Sequence, residues 1–221
     1  MIRSILSHSL SYRTKSLLKF DYMRFKARHW GNKSDYSQKQ KLHLGCWNRK
    51  IENWLNVDVV DSDYDVDLAC GALPFSSNHF NAIVSQHVIE HLELRHELLP
   101  LLIECKRVLK QGGQIWLSCP DMEKVCLGYV EDKGAVLFAD KSIRVPGYTT
   151  NGAPIQQTIN DLFHQNGEHK NLFDFELLEW ALAKAGFKDI VRCQESSILV
   201  AFPEFPNRGD DLQSLYVCAT K

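Results

Sequence analysis

The sequence predicts an α/β domain on a mainly parallel sheet, from three observations. From residue 41 onward, short strand-like apolar runs alternate with stretches of helical period. The first run ends in a glycine, KLHLGCW at Lys41 to Trp47, which places a tight turn at the carboxyl edge of a sheet. Two further runs, Val66 to Leu68 and Ala82 to Gln86, bring polar residues to the same edge, Asp67 on the first and Ser85, Gln86 and His87 on the second.

Two segments precede the body. Met1 to Phe20 is rich in Ser, Arg and Lys, with Ile2, Ile5 and Leu6 at helical spacing, a transit-peptide-like composition. The competing reading is a core-covering helix from Ser16 to His29 that uses Leu17, Leu18 and Phe25. Gly31 to Gln40 reads as a polar linker, so residues 1–40 form a basic extension and 41–221 the domain.

Strands are expected at Leu42 to Gly45, Leu55 to Val60, Val66 to Leu68, Ala82 to Gln86 and Gln114 to Ser118. A helix from Pro100 to Leu109 has Pro in its first turn, and Gly112 closes it. Residues 121–168 read as an insertion over the strand ends, with a helix near Val125 to Val130. A second helix runs from an Asp174 cap to Ala185, ending at Gly186. Asp189 to Gln194 and Leu215 to Ala219 are the last strands, and Pro203 and Pro206 mark the loop between them.

The net charge of −1 hides an asymmetry. Residues 1–41 hold ten Lys/Arg against two Asp/Glu, so the arm carries +8 and the body −9. Such an arm suits an anionic partner, a membrane surface, a phosphorylated substrate or nucleic acid, or else it is a solvated helix. No aromatic stripe suggests RNA stacking, so nucleic acid has the arm alone in its favour and is not expected. Seven cysteines without C-x-x-C pairing point to free thiols in a reducing compartment, the cytoplasm, with mitochondrial import as the alternative. No apolar stretch has the length of a membrane span.

Two carboxylates suit a nucleotide-like ligand. Asp58, in the second strand, is placed to accept from ribose hydroxyls, or else it is a turn residue. Asp67 could accept from an adenine amino group. Taken in order, LHLGC, NVD, DL-x-x-x-x-LPF-x-x-x-x-F-x-x-IVSQHVIEHL and RVLKQGGQIWLSCPD resemble class I methyltransferases that use S-adenosyl-L-methionine (SAM). They are most similar to a compact, methyltransferase-11-like subgroup often associated with cell-surface glycan assembly. The resemblance covers Lys41 to Asp121, and HKNLFDFELLEWALAKAGF and SLYVCATK near the end are similar too.

The resemblance implies a Rossmann-like sheet with an antiparallel last strand, helices on both faces and few helices in its first half. Gly45, Cys46 and Trp47 would line the methionine part of SAM, Asp58 the ribose, and Asp67 and Leu68 the adenine. Gln86 and His87 would face cofactor or acceptor. His87, then Asp121, then His169 are the candidates for handling the acceptor's proton. The acceptor is expected to be a small molecule or a sugar hydroxyl of a glycan precursor.

Three departures stand out. Trp47 replaces a motif glycine, which is strained if that position needs a positive φ. This motivates the alternative of a methyltransferase-like binding or scaffold protein without turnover. Cys46 to Trp54 is short for a helical crossover, which leaves a sheet face that the N-terminal helix could cover. Asn81 replaces an Asp before the fourth strand. Finally, His87-Val-Ile-Glu-His91 matches the H-x-x-E-H pattern of some zinc peptidases, but no third ligand is evident and no metal is expected.

Overall fold

The computed structural model describes residues 10–221. Ile2, Ile5 and Leu6, on which the transit-peptide reading leans, lie outside them. Helix α1 spans Tyr12–Trp30, capped by Ser11, whose hydroxyl accepts from the Thr14 N–H. The strands are β1 (Lys41–Leu44), β2 (Leu55–Asp58), β3 (Tyr64–Asp65), β4 (Phe80–Gln86), β5 (Leu109–Pro120), β6 (Lys188–Cys193) and β7 (Ser214–Thr220). They form one sheet in the order β3-β2-β1-β4-β5-β7-β6. Pairings from β3 through β5 are parallel, and β7 runs antiparallel to both β5 and β6. This is the class I, Rossmann-like arrangement with its antiparallel last strand.

Both sheet faces are buried, and the strand period of two divides the core. Ile83, Ile115, Leu117 and Val217 face one side, where α2 (Leu99–Val108) and α6 (Phe175–Lys184) cover them. Asp174 caps α6 by accepting from the Leu177 N–H. Ala82, Val84, Trp116 and Tyr216 face the other side. That side is covered by Ile51 and Trp54 from the β1–β2 link, by α7 (Glu195–Ala201), and by Phe202 and Phe205.

The expectation that the N-terminal helix covers this face is therefore corrected. On α1, Leu17, Leu18 and Phe25 are 54%, 54% and 45% exposed, and Ala27 is its buried apolar residue. The helix instead lies beside the short β3, where the chain after it makes a bridge from Lys33 to Tyr64.

Two other expectations shift. The strand expected at Val66 to Leu68 is the two-residue β3, and Leu68–Cys70 is a 3-10 turn capped by Asp67. Gly112 does not close α2. The chain enters β5 directly at Leu109, and Gly112 (φ 75) sits in an irregular stretch opposite Phe80 to Ala82.

Beyond β5 come α3 (Met122–Asp132), α4 (Ala135–Arg144) and α5 (Gln157–His164). They share a small core of their own: Val125, Leu137, Ile159 and Leu162. These helices stand over the carboxyl ends of β1, β4 and β5, where one cavity opens.

Candidate active site

A cavity of about 460 Å³ lies outside the strand ends. Its floor is the turn after β1. Gly45 adopts φ 71, and a Cβ there would lie 2.1 Å from Cγ2 of Val88, so only glycine fits. The N–H groups of Gly45 and Cys46 both donate to Val57 O, at 2.8 and 3.1 Å. Trp47 has φ 41, the left-handed region expected to strain it, and its side chain is 75% exposed at the cavity rim. Its N–H donates to Oδ2 of Asp58 at 2.7 Å.

Cys46 is buried, which together with the Asp58 charge pushes its thiol up to about 12. It is not a nucleophile at neutral pH. Asp58 is raised by burial, an effect opposed by N–H bonds from Trp47 and Val59.

The end of β4 delivers Gln86 and His87 to the cavity wall. His87 is gripped on both ring nitrogens. Nε2 lies 3.0 Å from Oδ2 of Asp210 and 3.1 Å from the Ser214 hydroxyl, and Nδ1 lies 3.3 Å from Oε1 of Glu90. Burial opposes protonation of His87, but the two carboxylates outweigh it and raise its pKa above the ordinary value. Both ring nitrogens face carboxylate oxygens, which only accept, so His87 is placed to donate and is ill suited to be the base. Asp210 was not legible as a site residue. It sits in the β6–β7 connection, where Arg208 Nε also donates to it at 3.0 Å and the Tyr216 hydroxyl binds it.

The other two proton-handling candidates differ. Asp121 is fully buried and does not line the cavity. One oxygen caps α3 by accepting from Glu123 and Lys124, and the other pairs with Arg192. His169 does line the cavity. Its Nδ1 faces Leu162 O at 2.8 Å, which leaves Nε2 with the lone pair, and burial lowers its pKa.

The predicted adenine end is closed. Asp67 accepts from Arg24 Nε at 3.0 Å on each oxygen and from Arg28 Nε at 2.9 Å, so α1 lies across it. Burial works to raise the Asp67 carboxyl, but the Cys70 thiol and the two guanidiniums bring it net below its ordinary range. Leu68 is buried in the main core. The cavity therefore brings together Gly45, Cys46, Trp47, Gln86, His87 and His169, while Asp58, Asp67, Leu68 and Asp121 lie outside its lining.

These residues fit SAM at its methionine end, where Gly45 keeps the turn open and the Arg49 charge and the Gln86 amide reach the cavity. Asp58, expected at the ribose, lies outside the cavity lining, with Oδ2 accepting from the Trp47 N–H and Oδ1 from the Val59 N–H. Adenine at Asp67 would require Arg24 and Arg28 to leave it first. When bound, SAM supplies an electrophilic methyl group.

Residues 36–117 match a family model described as a methyltransferase domain. No curated protein matches the chain. Similar solved structures include a SAM-dependent methyltransferase from Mesorhizobium loti, 16% identical over 86% of this chain and 94% of that one, with TM-score 0.44. One from Archaeoglobus fulgidus is 15% identical over 96% and 100%, with TM-score 0.45. One from Thermotoga maritima is 12% identical over 94% and 97%, with TM-score 0.48. The seven-strand order is that of the class I, Rossmann-like methyltransferase fold, and the matched segment within it is a methyltransferase domain, whose methyl donor is SAM.

Proposed function

We propose that the chain methylates an oxygen of a small anionic acceptor, and that a sugar hydroxyl of a glycan precursor is the acceptor class. One observation carries the reading: a single cavity is walled by the Gly45 to Trp47 turn and the β4 end on one side and by α4 and α5 on the other. Donor and acceptor would meet there. Arg49, Lys141, Arg144 and Arg208 outnumber Asp161 and Asp210 in its lining, which suits phosphate or carboxylate on the acceptor. Arg144 and Arg208 are paired, with Asp140 at 2.6 Å and Asp210 at 3.0 Å, but Arg49 and Lys141 make no ion pair among the described residues. The glycan class itself rests on the sequence resemblance.

His87 orients and donates, and α4 and α5 exclude water. Alignment of donor and acceptor supplies much of the rate. The exposed Lys15, Lys19 and Lys26 of α1 support docking of the arm on an anionic surface. All seven cysteines are free, which supports a reducing compartment such as the cytoplasm. No helix among the described residues is long and apolar enough to cross a membrane.

Calorimetric titration with SAM and S-adenosylhomocysteine, beside Trp47→Gly, tests the cofactor step. Micromolar binding by the native chain is expected, followed by label transfer to sugar phosphates in an acceptor screen. Binding restored by Trp47→Gly but absent natively would favour a methyltransferase-like binding protein. Label found on protein acceptors alone would refute the glycan class.

A further inference from the structure

We propose that Glu90, His91 and His169 bind a divalent transition-metal ion, of zinc character, on the wall of the cavity. One ligand atom from each of the three lies within 4.8 Å of the others. The two rings stand 4.8 Å apart at 73°.

Hydrogen bonding sets both imidazoles in a ligating form. Nδ1 of His91 lies 3.2 Å from Glu168 O, and Nδ1 of His169 lies 2.8 Å from Leu162 O. A carbonyl oxygen only accepts, so each Nδ1 carries the proton and each Nε2 keeps its lone pair. A second-shell carbonyl of this kind is what normally orients a metal-bound histidine.

The third donor is a carboxylate in an unusual state. Glu90 is 1% exposed, and neither of its oxygens has a hydrogen-bond partner among the described residues. The His87 ring, 3.3 Å away, stands on one side of it only and without hydrogen-bond alignment. Nε2 of His169 is buried and likewise unpartnered among the described residues. Buried acceptors left unmatched are rare in folded proteins, and here two of them share one spot. A single cation between them satisfies both together.

The frame is fixed before any ion arrives. The N–H groups of Lys170 and Asn171 donate to Glu90 O at 2.8 and 3.2 Å, and the Asn171 amide donates to Leu92 O. The turn bearing Glu90 and His91 is thus fastened to the segment bearing His169. Bonds of about 2.0–2.2 Å require donors roughly 3.4 Å apart in a tetrahedron, a closure that rotation of the partly exposed His91 can supply.

Two imidazoles and one carboxylate form a ligand set of open zinc sites, and are a poor match for magnesium or calcium, which take oxygen shells. His91 and His169 line the cavity, so a fourth position faces it. A hydroxyl bound there loses its proton more readily. That role rests on the methyl-transfer reading above, but binding of the ion does not. The arrangement also differs from the H-x-x-E-H reading of the sequence. His87 points to Asp210, Glu90 is a ligand, and the third ligand comes from 78 residues beyond His91.

The full chain, stripped with chelator, is titrated with Co²⁺ as a visible-absorbing probe and then with Zn²⁺ in competition. One equivalent is expected, displaced by Zn²⁺, with a rise in melting temperature on loading. His169→Asn, His91→Asn and Glu90→Gln should each weaken uptake more than tenfold. The two histidine variants should keep the unloaded melting temperature, which separates lost ligation from lost folding. No stoichiometric uptake by the native chain overturns the proposal, as does uptake unchanged in both histidine variants. SAM titration of the stripped protein reads the methyl-transfer proposal separately.

Discussion

At Gly45 the fold tolerates no side chain. Gly45→Ala combines a positive φ with a Cβ 2.1 Å from a stiff, β-branched neighbour. The left-handed backbone costs about 1–2 kcal/mol and overpacking another 1–3 kcal/mol. Urea unfolding should show roughly 2–5 kcal/mol lost, and Val88→Ala in the same chain should return the overpacking part alone. Equal losses with and without Val88 would refute this division. A second residue gives the protein its acid sensitivity. His43 is 3% exposed, its Nδ1 is 3.3 Å from the Asn56 amide oxygen, and burial lowers its pKa to about 4. A folded value below the unfolded 6.5 means the unfolded chain binds the proton first. Stability from this group is therefore full above 6.5 and is lost as pH falls toward 4, by roughly 3 kcal/mol in all. His87 shifts the other way. Its contribution is full below 6.5 and lost only as pH rises through its folded value. Between pH 6.5 and 5 the slope thus belongs to His43 together with His169, whose pKa burial also lowers, and His43→Gln should reduce it in urea titrations. An unchanged slope would sink the assignment.

At the scale of elements, two coverings of the sheet differ in kind. Trp54 is buried against Phe202 and Phe205, with edge-on ring centroids 5.1 and 4.9 Å away, and its Nε1–H donates to Glu204 at 2.8 Å. Trp54→Ala should cost about 3–5 kcal/mol of global stability. Helix α1 is held mainly by charge, through Arg24 and Arg28 on Asp67. Replacing both arginines by Gln should speed proteolysis within α1 and, on the reading that Asp67 takes the adenine, tighten SAM binding. Unchanged SAM affinity would mean that α1 does not obstruct that end. The elements were unequally legible in the sequence. β1, β4 and β5 read clearly because central parallel strands bury both faces and become nearly continuous apolar runs. α2 and α6 read through Pro100 and the Asp174 cap. α7 was missed because seven residues with two serines, ahead of a proline-bearing loop, carry too little period. β3 was misplaced because two residues make no pattern at all. In the site, Gly45 and His87 were legible from the order of motifs. Asp210 was not, since a charged loop between terminal strands gives no sign that it folds back onto the end of β4.

Across the whole molecule, cohesion is uneven, and the cavity lies along the seam. The sheet and its two faces hold the large apolar clusters, whereas α3, α4 and α5 share four buried residues. α3 is anchored to the sheet, with Lys124 Nζ donating to Asp211 O and Ser214 O at 2.6 and 2.7 Å. Helix α5 is tied at its far end, where Leu162 O meets the ring of His169. α4 and α5 should therefore open without unfolding the sheet, and that opening widens the way for an acceptor into the cavity. Native-state hydrogen exchange in low urea tests this. Amides of α4 and α5 should exchange at free energies several kcal/mol below those of β1, β4 and β5, with little urea dependence, because little surface is exposed. A ligand that stiffens His169 should slow exchange in α5 more than in α4. Exchange of α5 with the same urea slope as β4 would mean that the lid and the sheet unfold as one unit, and acceptor entry would then need another route.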